Sequence, residues 1–344
     1  MKALFKAKAE PGLEIQDVEI PQIKDDEVLV KIRATSICGT DVHIWAWDGW
    51  AQKRIHPPLI VGHEFAGEVV ELGKSVRGLE KGDLVSGETH INCGYCFQCK
   101  TGNAHICENV KLRGIDVTGC FAEYHAMPAN TAWKNDKSIP IEVMSAQEPL
   151  GNAVHTVFSG SGTVAGQTVA IFGCGPIGMC AAALCKSSGA EKVYCVDLND
   201  YRLNLAKEMG GDVLLNPLKT DVVKEMLSDT GGRGVDVVLE MSGGPEALRS
   251  CFKAVRPGGR VSILGVFPGE VSLDVTDGIV FKGVTVNGVN GRMMFNTWYK
   301  SASFLKTGKV DLKKIITNKF KLEEFEKAFQ TMKSGNSGKI VMYP

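Results

Sequence analysis

Residues 168–178 read Thr168-Val-Ala-Ile-Phe-Gly-Cys-Gly-Pro-Ile-Gly178, and this stretch decides the fold of the chain. Thr168 is followed by four apolar residues, as in a strand that is buried on both faces of a parallel sheet. Gly173, Gly175 and Gly178 then follow the pattern G-x-G-x-x-G, and an Ala-rich helix is predicted directly after them. A second apolar strand, 192–196, ends at Asp197, 19 residues after Gly178. This order of elements predicts a dinucleotide-binding unit in which Asp197 holds a ribose diol.

The alternation of strands and helices continues beyond this unit. Helices are predicted at 204–209, 221–228 and 246–255, and strands at 235–240, 259–265 and 284–288. We therefore predict a doubly wound Rossmann domain over residues 151–291, with a parallel sheet of about six strands.

The first 150 residues have a different pattern. Short runs of alternating apolar and polar residues, separated by turns and frequent glycines, predict a small irregular β-barrel, with 119–124 as one of its strands. The last segment, 292–344, predicts helices at 297–307 and 322–334 and a final strand at 339–342. We expect this segment to return to the first domain. The fold class is therefore α/β, with two domains.

Two stretches of the first domain carry metal-binding residue types. Cys38 lies 25 residues before His63, and Glu64 follows His63 directly. Cysteine, histidine and a carboxylate form an open zinc site when the fourth position is left for water or substrate. A Gly-His-Glu sequence alone carries little weight, because only the fold can bring the two stretches together.

A second cluster lies at about residues 90–110, where Cys93, Cys96, Cys99 and Cys107 follow each other within 15 residues. Four thiolates at this spacing can surround one tetrahedral zinc ion and leave no open position, so a structural site is predicted. The alternatives are four reduced surface cysteines or a zinc knuckle that binds single-stranded nucleic acid. The segment lacks the flanking basic residues of a knuckle. Cys120 stands apart and is interpreted as a small buried apolar residue.

Composition excludes several classes of function. The 39 acidic and 39 basic side chains cancel, and no basic run suggests a nucleic acid or an anionic membrane as partner. No signal peptide or membrane-spanning run is found, so a cytoplasmic protein is expected. The 11 cysteines are an odd number, which argues against a fully paired disulfide framework.

Gly62-His63-Glu64, the four-cysteine segment and the Gly173 loop together resemble the zinc-dependent medium-chain alcohol dehydrogenases over essentially the whole chain. Within that family, the stretches 38–43, 50–52, 148–156 and 291–299 are most similar to the members that act on threonine. The resemblance implies a GroES-like catalytic domain, a Rossmann domain, a homotetramer, and two zinc ions per subunit. It also implies oxidation of L-threonine to 2-amino-3-oxobutanoate with NAD, through a zinc alkoxide and hydride transfer.

The resemblance further implies residue roles. Cys38, His63 and Glu64 are expected to ligate the catalytic zinc, Glu148 to be an exchangeable carboxylate near it, and Thr40 and His43 to relay the alcohol proton. Taken alone, Glu148 could equally be a helix-start carboxylate, and His43 a surface histidine. The expected cofactor contacts, besides the glycines, are Ile177, Asp197, Arg202, Leu264, Gly265, Val266, Val289 and Asn290. Asn290 departs from the family, in which many members have an aromatic residue.

Three questions stay open at this point. Asp197 favours NAD because a carboxylate repels a 2′-phosphate, whereas Arg202 could accommodate one. Arg292 could bind the threonine carboxylate, although a structural salt bridge is the commoner role of an arginine. The substrate could instead be a polyol or 2,3-butanediol, and a dinucleotide-binding protein without catalysis is a more remote alternative.

Overall fold

The computed structural model describes residues 1–160 and 162–344, which form two compact units. The first unit comprises Met1–Glu148 and Ile316–Pro344, and the second comprises Pro149–Ile315. Each unit has its own sheet and its own hydrophobic core.

The strands of the described residues, in chain order, are β1 Lys2–Lys6, β2 Glu14–Asp17, β3 Glu27–Ser36, β4 Leu59–Ile60, β5 Glu64–Leu72, β6 Leu84–Gly87, β7 His90–Ile91, β8 Lys111–Leu112, β9 Tyr124–Pro128, β10 Ala132–Lys134, β11 Thr168–Phe172, β12 Lys192–Val196, β13 Val213–Leu215, β14 Val235–Glu240, β15 Val255–Ile263, β16 Thr285–Gly288, β17 Ile316–Lys321 and β18 Lys339–Tyr343. The α-helices are α1 Gly39–Ala46, α2 Gly49–Arg54, α3 Phe97–Lys100, α4 Ile141–Ser145, α5 Gln147–Val157, α6 Pro176–Ser187, α7 Asp200–Glu208, α8 Val222–Asp229, α9 Pro245–Ala254, α10 Asn296–Lys306 and α11 Phe325–Lys333.

The first unit is built around strand β3. Its largest sheet has the order β10-β6-β5-β3-β18-β17, and β9 also pairs with β3. Every pairing in this sheet is antiparallel except that of β17 with β18. A three-stranded sheet, β2-β1-β4, and the short ribbon β7-β8 complete the unit. Because β3 pairs with strands from three distant parts of the sequence, it brings those parts together.

The C-terminal segment is an integral part of the first unit. Strand β18 pairs with β3 so that Val341 lies opposite Ser36 and Met342 opposite Thr35. Helix α11 contributes Phe325, Ala328 and Phe329 to the same core as the N-terminal strands. The predicted return of the chain end therefore takes place, and it completes the sheet that carries the metal-binding residue types.

The second unit is a doubly wound parallel sheet. Its six strands follow the order β13-β12-β11-β14-β15-β16, and every neighbouring pair is parallel. The core on this sheet is formed largely by the strands and by α8 and α9. The predicted glycine loop thus follows the central strand β11, as the sequence pattern requires.

Two boundaries predicted from the sequence, one of a domain and one of a strand, differ from those in the structure. The predicted third segment, 292–344, is divided at Ile315, and residues 292–315 belong to the second unit. The reason is packing, since Trp298 is buried there and Phe304 stacks on Phe158 with 6.1 Å between ring centroids. Residues 119–123, predicted as strand, hydrogen-bond mainly to 60–62 and 2–4, and the regular strand begins at Tyr124.

Among the described residues, no helix combines the length and the apolar character that crossing a membrane would require.

Phe329 offers a test of the role of the C-terminal segment. Its side chain is fully buried, so the Phe329→Ala variant should lower the free energy of unfolding of the first unit by about 3–5 kcal/mol. Gln330→Ala, on the exposed face of the same helix, is the matched control and should change it by less than about 0.5 kcal/mol. Chemical denaturation followed by tryptophan fluorescence measures both. Equal stability of the two variants would show that α11 does not hold the unit together.

Candidate active site and dinucleotide loop

The pairing of β3 with β5 brings the three predicted zinc ligands together. Ser36, at the end of β3, lies opposite Glu64, at the start of β5. Cys38 follows two residues after Ser36, and His63 directly precedes Glu64, so both are carried to the same end of the strand pair. One potential ligand atom from each of Cys38, His63 and Glu64 lies within 4.8 Å of the others. The structure therefore assembles this triad, as the sequence predicts.

The donor set of the triad fits a zinc ion. Sulfur, imidazole nitrogen and carboxylate oxygen are the ligands that zinc prefers, and three of them leave one position open. His63 and Glu64 are buried, and neither His63 Nδ1 nor Glu64 Oε1 has a hydrogen-bond partner among the described residues. Buried polar atoms without partners are rare and point to an unrecorded ion or water.

A buried ion pair fixes the Glu64 carboxylate. Its Oε2 atom accepts hydrogen bonds from Ser36 Oγ and forms an ion pair with Lys339, which comes from β18. Lys339 Nζ also donates to the carbonyl of Ile37, at 3.0 Å. One carboxylate oxygen is therefore anchored to protein while the other is left for a cation. Sequence reasoning missed Lys339, because the only signal was that the final strand returns to this domain.

Asp41 is a second residue that sequence reasoning missed, although it lies within the stretch 38–43. Its Oδ2 atom accepts the Cys38 N–H at 2.8 Å, and its Oδ1 atom lies 3.7 Å from His63 Nδ1. Burial raises the pKa of Asp41 to about 6, against the opposing effect of His63. A carboxylate that orients a metal-binding histidine is a recurrent feature of zinc sites.

The charges around His63 favour a cation. Burial alone would lower the pKa of His63, but Asp41 and Cys38 outweigh burial and raise this pKa to about 10. The surroundings of the imidazole are thus strongly anionic. A metal ion that binds to the neutral ring replaces the proton that these anions otherwise hold there.

Glu148 lies near the triad but is not one of its three members. It sits in the first turn of α5, is buried, and accepts a 2.9 Å hydrogen bond from Thr89 Oγ1 to its Oε1 atom. Its charge contributes to the raised pKa values of His63 and Lys339. The structure thus gives Glu148 a protein partner close to the triad. Sequence reasoning missed Thr89, for which no motif gave a signal.

The predicted proton relay lies on α1. Thr40 Oγ1 is 3.8 Å from Cys38 Sγ, and His43, one turn later, has an exposed side chain. His43 Nδ1 is 2.5 Å from Asp48 Oδ2. Asp48 also caps α2 by accepting the N–H groups of Trp50 and Ala51. The relay residues therefore run from the triad toward solvent, and Asp48 fixes the outer one.

The four predicted cysteines converge on one point. Their sulfur atoms lie within 4.8 Å of one another, and all 11 cysteines of the chain are free thiols. Backbone N–H groups of Cys93 and Asn109 each lie 3.3 Å from Cys107 Sγ. Burial alone would raise the pKa of Cys93, but N–H donors from Tyr95 and Cys96 lower it to about 6. Burial, in contrast, raises the pKa of Cys107 to about 11. Four sulfur atoms gathered at one point fit a closed zinc site. Cys120, in contrast, is fully buried, and burial raises the pKa of its thiol.

The glycine loop fits the pyrophosphate of a dinucleotide. Gly178 is required because a Cβ atom there would lie 2.0 Å from the Gly173 carbonyl oxygen. A Cβ atom on Gly175 would meet nothing within 4 Å, so the space above this residue is open. Helix α6 begins at Pro176 without a side-chain cap. Its free N–H groups and positive dipole end suit a phosphate. Ile177 lies in its first turn.

Asp197 lies at the carboxyl end of β12, beside the loop. Its Oδ2 atom accepts the Cys174 N–H at 2.7 Å, and its Oδ1 atom accepts the Asn199 N–H at 2.9 Å. Arg202 lies in α7, and its Nε atom has no partner among the described residues. Asp197 is thus held against the glycine loop. The choice between NAD and NADP stays a prediction.

The other predicted cofactor residues follow neighbouring strands. Leu264, Gly265 and Val266 come after β15, and Val266 is 84% exposed. Val289 and Asn290 come after β16, with Val289 buried and Asn290 exposed. Ligands of doubly wound sheets bind at these carboxyl ends.

Arg292 is packed inside the second unit. Its side chain is buried, its Nη1 atom donates to Asn152 Oδ1 at 3.0 Å, and its methylene groups lie against Gly151. The assignment of Arg292 to the threonine carboxylate stays a prediction.

Comparisons with known proteins agree with this arrangement. Residues 24–141 match the alcohol dehydrogenase GroES-like domain, and residues 176–307 match the zinc-binding dehydrogenase model. An L-threonine 3-dehydrogenase of Caldanaerobacter subterraneus is 52% identical over 100% of this chain and 99% of its own length.

Two solved structures have the same fold. An alcohol dehydrogenase of Escherichia coli CFT073 in complex with NADH is 26% identical, with a TM-score of 0.91 over 100% of this chain and 99% of its own. The 2R,3R-butanediol dehydrogenase of Bacillus subtilis is 29% identical, with a TM-score of 0.89 over the same shares. The predicted fold class, a GroES-like domain with a Rossmann domain, is confirmed, and the chain belongs to the zinc-dependent medium-chain dehydrogenase family.

Proposed function

We propose that the chain oxidises the secondary alcohol of L-threonine to 2-amino-3-oxobutanoate, with NAD as hydride acceptor. The assembled triad of Cys38, His63 and Glu64 carries the proposal of alcohol oxidation. The substrate rests on the full-length similarity to L-threonine 3-dehydrogenases, at 52% identity for the one described above. The butanediol dehydrogenase is 29% identical, which makes 2,3-butanediol the second candidate substrate.

The residues of the triad define the chemistry. Cys38, His63 and Glu64 would hold a zinc ion, which would supply a Lewis acid that lowers the pKa of a bound alcohol, as zinc lowers that of water from about 16 to about 7. The Thr40 hydroxyl accepts the alcohol proton as it gives up its own, and His43 passes a proton to solvent, because an imidazole can both accept and release protons. Asp48 fixes the ring of His43 for this transfer.

The four-cysteine site has a different purpose. Cys93, Cys96, Cys99 and Cys107 surround a point with four sulfur atoms and leave no position for substrate. We assign a structural zinc to it, so the proposed content is two zinc ions per subunit. All cysteines are free, as expected of a protein that works in the reducing cytoplasm, which we propose as its location.

The experiment for this proposal measures NADH formation with L-threonine, D-threonine, sorbitol and 2,3-butanediol, together with zinc content. L-threonine should be oxidised fastest, with about two zinc ions per chain. NADP in place of NAD should support slower turnover, because the Asp197 carboxylate repels its 2′-phosphate. Faster turnover of 2,3-butanediol than of L-threonine would contradict the proposed substrate and identify 2,3-butanediol as the better one. Zinc at one ion per chain without any activity would favour a dinucleotide-binding protein.

The His43→Ala variant tests the relay. It should lower kcat about 10- to 100-fold, since the outer proton acceptor is lost, and leave zinc content unchanged. His56→Ala, another exposed histidine of the first unit, is the control and should keep full turnover. Loss of zinc from the His43 variant would instead assign this residue to the metal site.

The Thr89→Val variant tests how Glu148 is held. Valine keeps the shape of threonine but leaves Glu148 Oε1 without its buried donor, at a cost of about 1–3 kcal/mol in stability. We expect kcat to fall about tenfold and the visible absorption bands of the cobalt-substituted enzyme to shift, as the carboxylate moves. Thr89→Ser retains the hydroxyl and should restore both. An unchanged spectrum in the valine variant would contradict a role for Thr89 in placing Glu148.

A homotetramer is proposed for the assembly. Strand β16 ends the parallel sheet, so its outer edge is unpaired within the described residues. Val275, Val280, Phe281 and Val286 are exposed in and before this strand. An edge strand beside exposed apolar side chains suits pairing with a second copy.

Val286→Lys should therefore reduce the tetramer to a smaller species, because a charge would be buried at the proposed contact. Light scattering coupled to gel filtration measures the mass. Leu218→Lys, at an exposed position next to the opposite edge strand β13, is the control and should remain tetrameric. A tetramer formed by the Val286 variant would place the interface elsewhere.

A further inference from the structure

Glu240 is a buried acidic residue that none of the proposed chemistry uses. It is the last residue of β14 and is fully buried at the carboxyl end of the parallel sheet. Burial of a carboxylate is costly unless donors compensate for it. Burial indeed raises the pKa of Glu240, and the surrounding N–H donors only partly offset this effect.

One oxygen of Glu240 organises the loop that follows it. Glu240 Oε1 accepts the backbone N–H of Ser242 at 2.9 Å and that of Gly243 at 3.0 Å. It also accepts the Ser242 hydroxyl at 2.5 Å. The other oxygen, Oε2, has no hydrogen-bond partner among the described residues. The loop 242–244 is therefore bound to the end of its own strand by a single carboxylate oxygen.

The second oxygen lies against a predicted cofactor segment. A Cβ atom on Gly265 would lie only 2.2 Å from Glu240 Oε2. The Leu264 and Gly265 N–H groups also donate to the Glu240 carbonyl, at 2.9 and 3.2 Å. The side chain and the backbone of Glu240 thus both determine where the segment 264–266 begins.

Three loops meet around this residue. A Cβ atom on Gly243 would lie 2.3 Å from the Val266 carbonyl oxygen, and one on Gly173 would lie 2.7 Å from the Ser242 nitrogen. The loops follow β11, β14 and β15, which are neighbours in the sheet. The loop held by Glu240 therefore lies between the glycine loop and the segment 264–266, at the sheet edge where dinucleotides bind.

We propose that Glu240 is a positioning residue of the dinucleotide site. Its carboxylate holds loop 242–244 and segment 264–266 in the arrangement that receives the cofactor. The inference rests on the proposed use of NAD but not on the identity of the alcohol.

The same strand supplies a matched control, Asp236. It lies near the amino end of β14, where its Oδ2 atom accepts the Thr168 N–H at 2.9 Å and its Oδ1 atom bonds to Arg256 Nε at 2.6 Å. Burial alone would raise the pKa of Asp236, but Arg256 and Thr168 lower it. Its contribution to stability is therefore present above its pKa in the unfolded chain and is lost as the pH falls. The pH dependence of stability that comes from Glu240 is opposite. Because its pKa is raised in the folded state, its contribution to stability is lost as the pH rises.

The two variants Glu240→Gln and Asp236→Asn therefore separate positioning from stability. In Glu240→Gln the amide oxygen can still accept the hydrogen bonds from Ser242 and Gly243. The NH2 group, however, would take the place of Oε2 and bring its hydrogens into close contact with Gly265. The affinity for NADH should fall about tenfold, and the KM for NAD should rise in parallel while kcat changes less than about twofold. Its melting temperature should fall less than that of Asp236→Asn, since the amide oxygen keeps the hydrogen bonds from Ser242 and Gly243. Asp236→Asn should melt at a lower temperature and bind NADH as the parent does.

The measurements are fluorescence titration with NADH, thermal melting and steady-state kinetics on the full chain. NADH affinity equal to the parent in Glu240→Gln, or an equal loss in both variants, would overturn the proposal. Ser242→Ala, which removes the hydroxyl that donates to Glu240 Oε1 and accepts the Gly244 N–H, is a second variant and should weaken NADH binding about two- to threefold. Because the titration needs no alcohol, a wrong substrate assignment would leave its result unaffected.

Discussion

The burial of several negative charges around one point is the constraint on which the first unit depends. Cys38, Asp41, Glu64 and Glu148 all contribute to the field around His63 or Lys339. Lys339 supplies one compensating charge from the last strand, and the raised pKa of His63 shows that this charge alone does not balance the site. A divalent cation bound by the triad would complete the balance. A metal ion bound there would thus be part of the electrostatics of the fold as well as of its chemistry.

The triad and the four-cysteine segment, the two groups of this unit that could hold a metal ion, differ in how the fold brings their residues together. In the triad, Cys38 comes from one stretch and His63 and Glu64 from another, and the pairing of β3 with β5 brings the two stretches together. In the four-cysteine segment, the ligands follow each other within one short loop, and the N–H groups of Cys93 and Asn109 donate to Cys107 Sγ. The first arrangement leaves an open position beside polar side chains, whereas the second is filled by sulfur. Zinc chemistry requires an open position for catalysis and a closed one for structure.

Local sequence patterns predicted those features that depend on near neighbours in the chain. Each of these features can be recognised from about 15 consecutive residues or fewer: the strand at 168–172, the glycine loop and the four cysteines. The triad could be proposed only from residue types, since no local pattern shows that Ser36 lies opposite Glu64. Thr89 and Glu240 gave no signal, and Lys339 gave only the signal that its strand returns to the first domain. Each acts through a partner that is either far away in the chain or defined by burial, and neither property can be read from a single sequence.

The boundary at Ile315 has the same cause. Residues 297–307 predict a helix of the correct length, but its sequence does not say which unit receives its apolar face. Trp298 and the stacking of Phe304 on Phe158 settle that choice.

The four-cysteine segment also has a connection to the triad that its sequence does not suggest. Its ribbon, β7 with β8, begins directly after Thr89, and the Thr89 carbonyl accepts the Arg113 N–H at 3.0 Å. Arg113 is buried and donates further to Thr131 Oγ1 at 3.1 Å, so the base of the segment is fixed to the barrel. Thr89 is thereby held in place by its backbone while its hydroxyl binds Glu148. A zinc ion bound by the four cysteines would stiffen this ribbon and would therefore also restrict the positions that the Glu148 carboxylate can take beside the triad. A structural metal could in this way influence the reacting centre through Thr89 and Glu148.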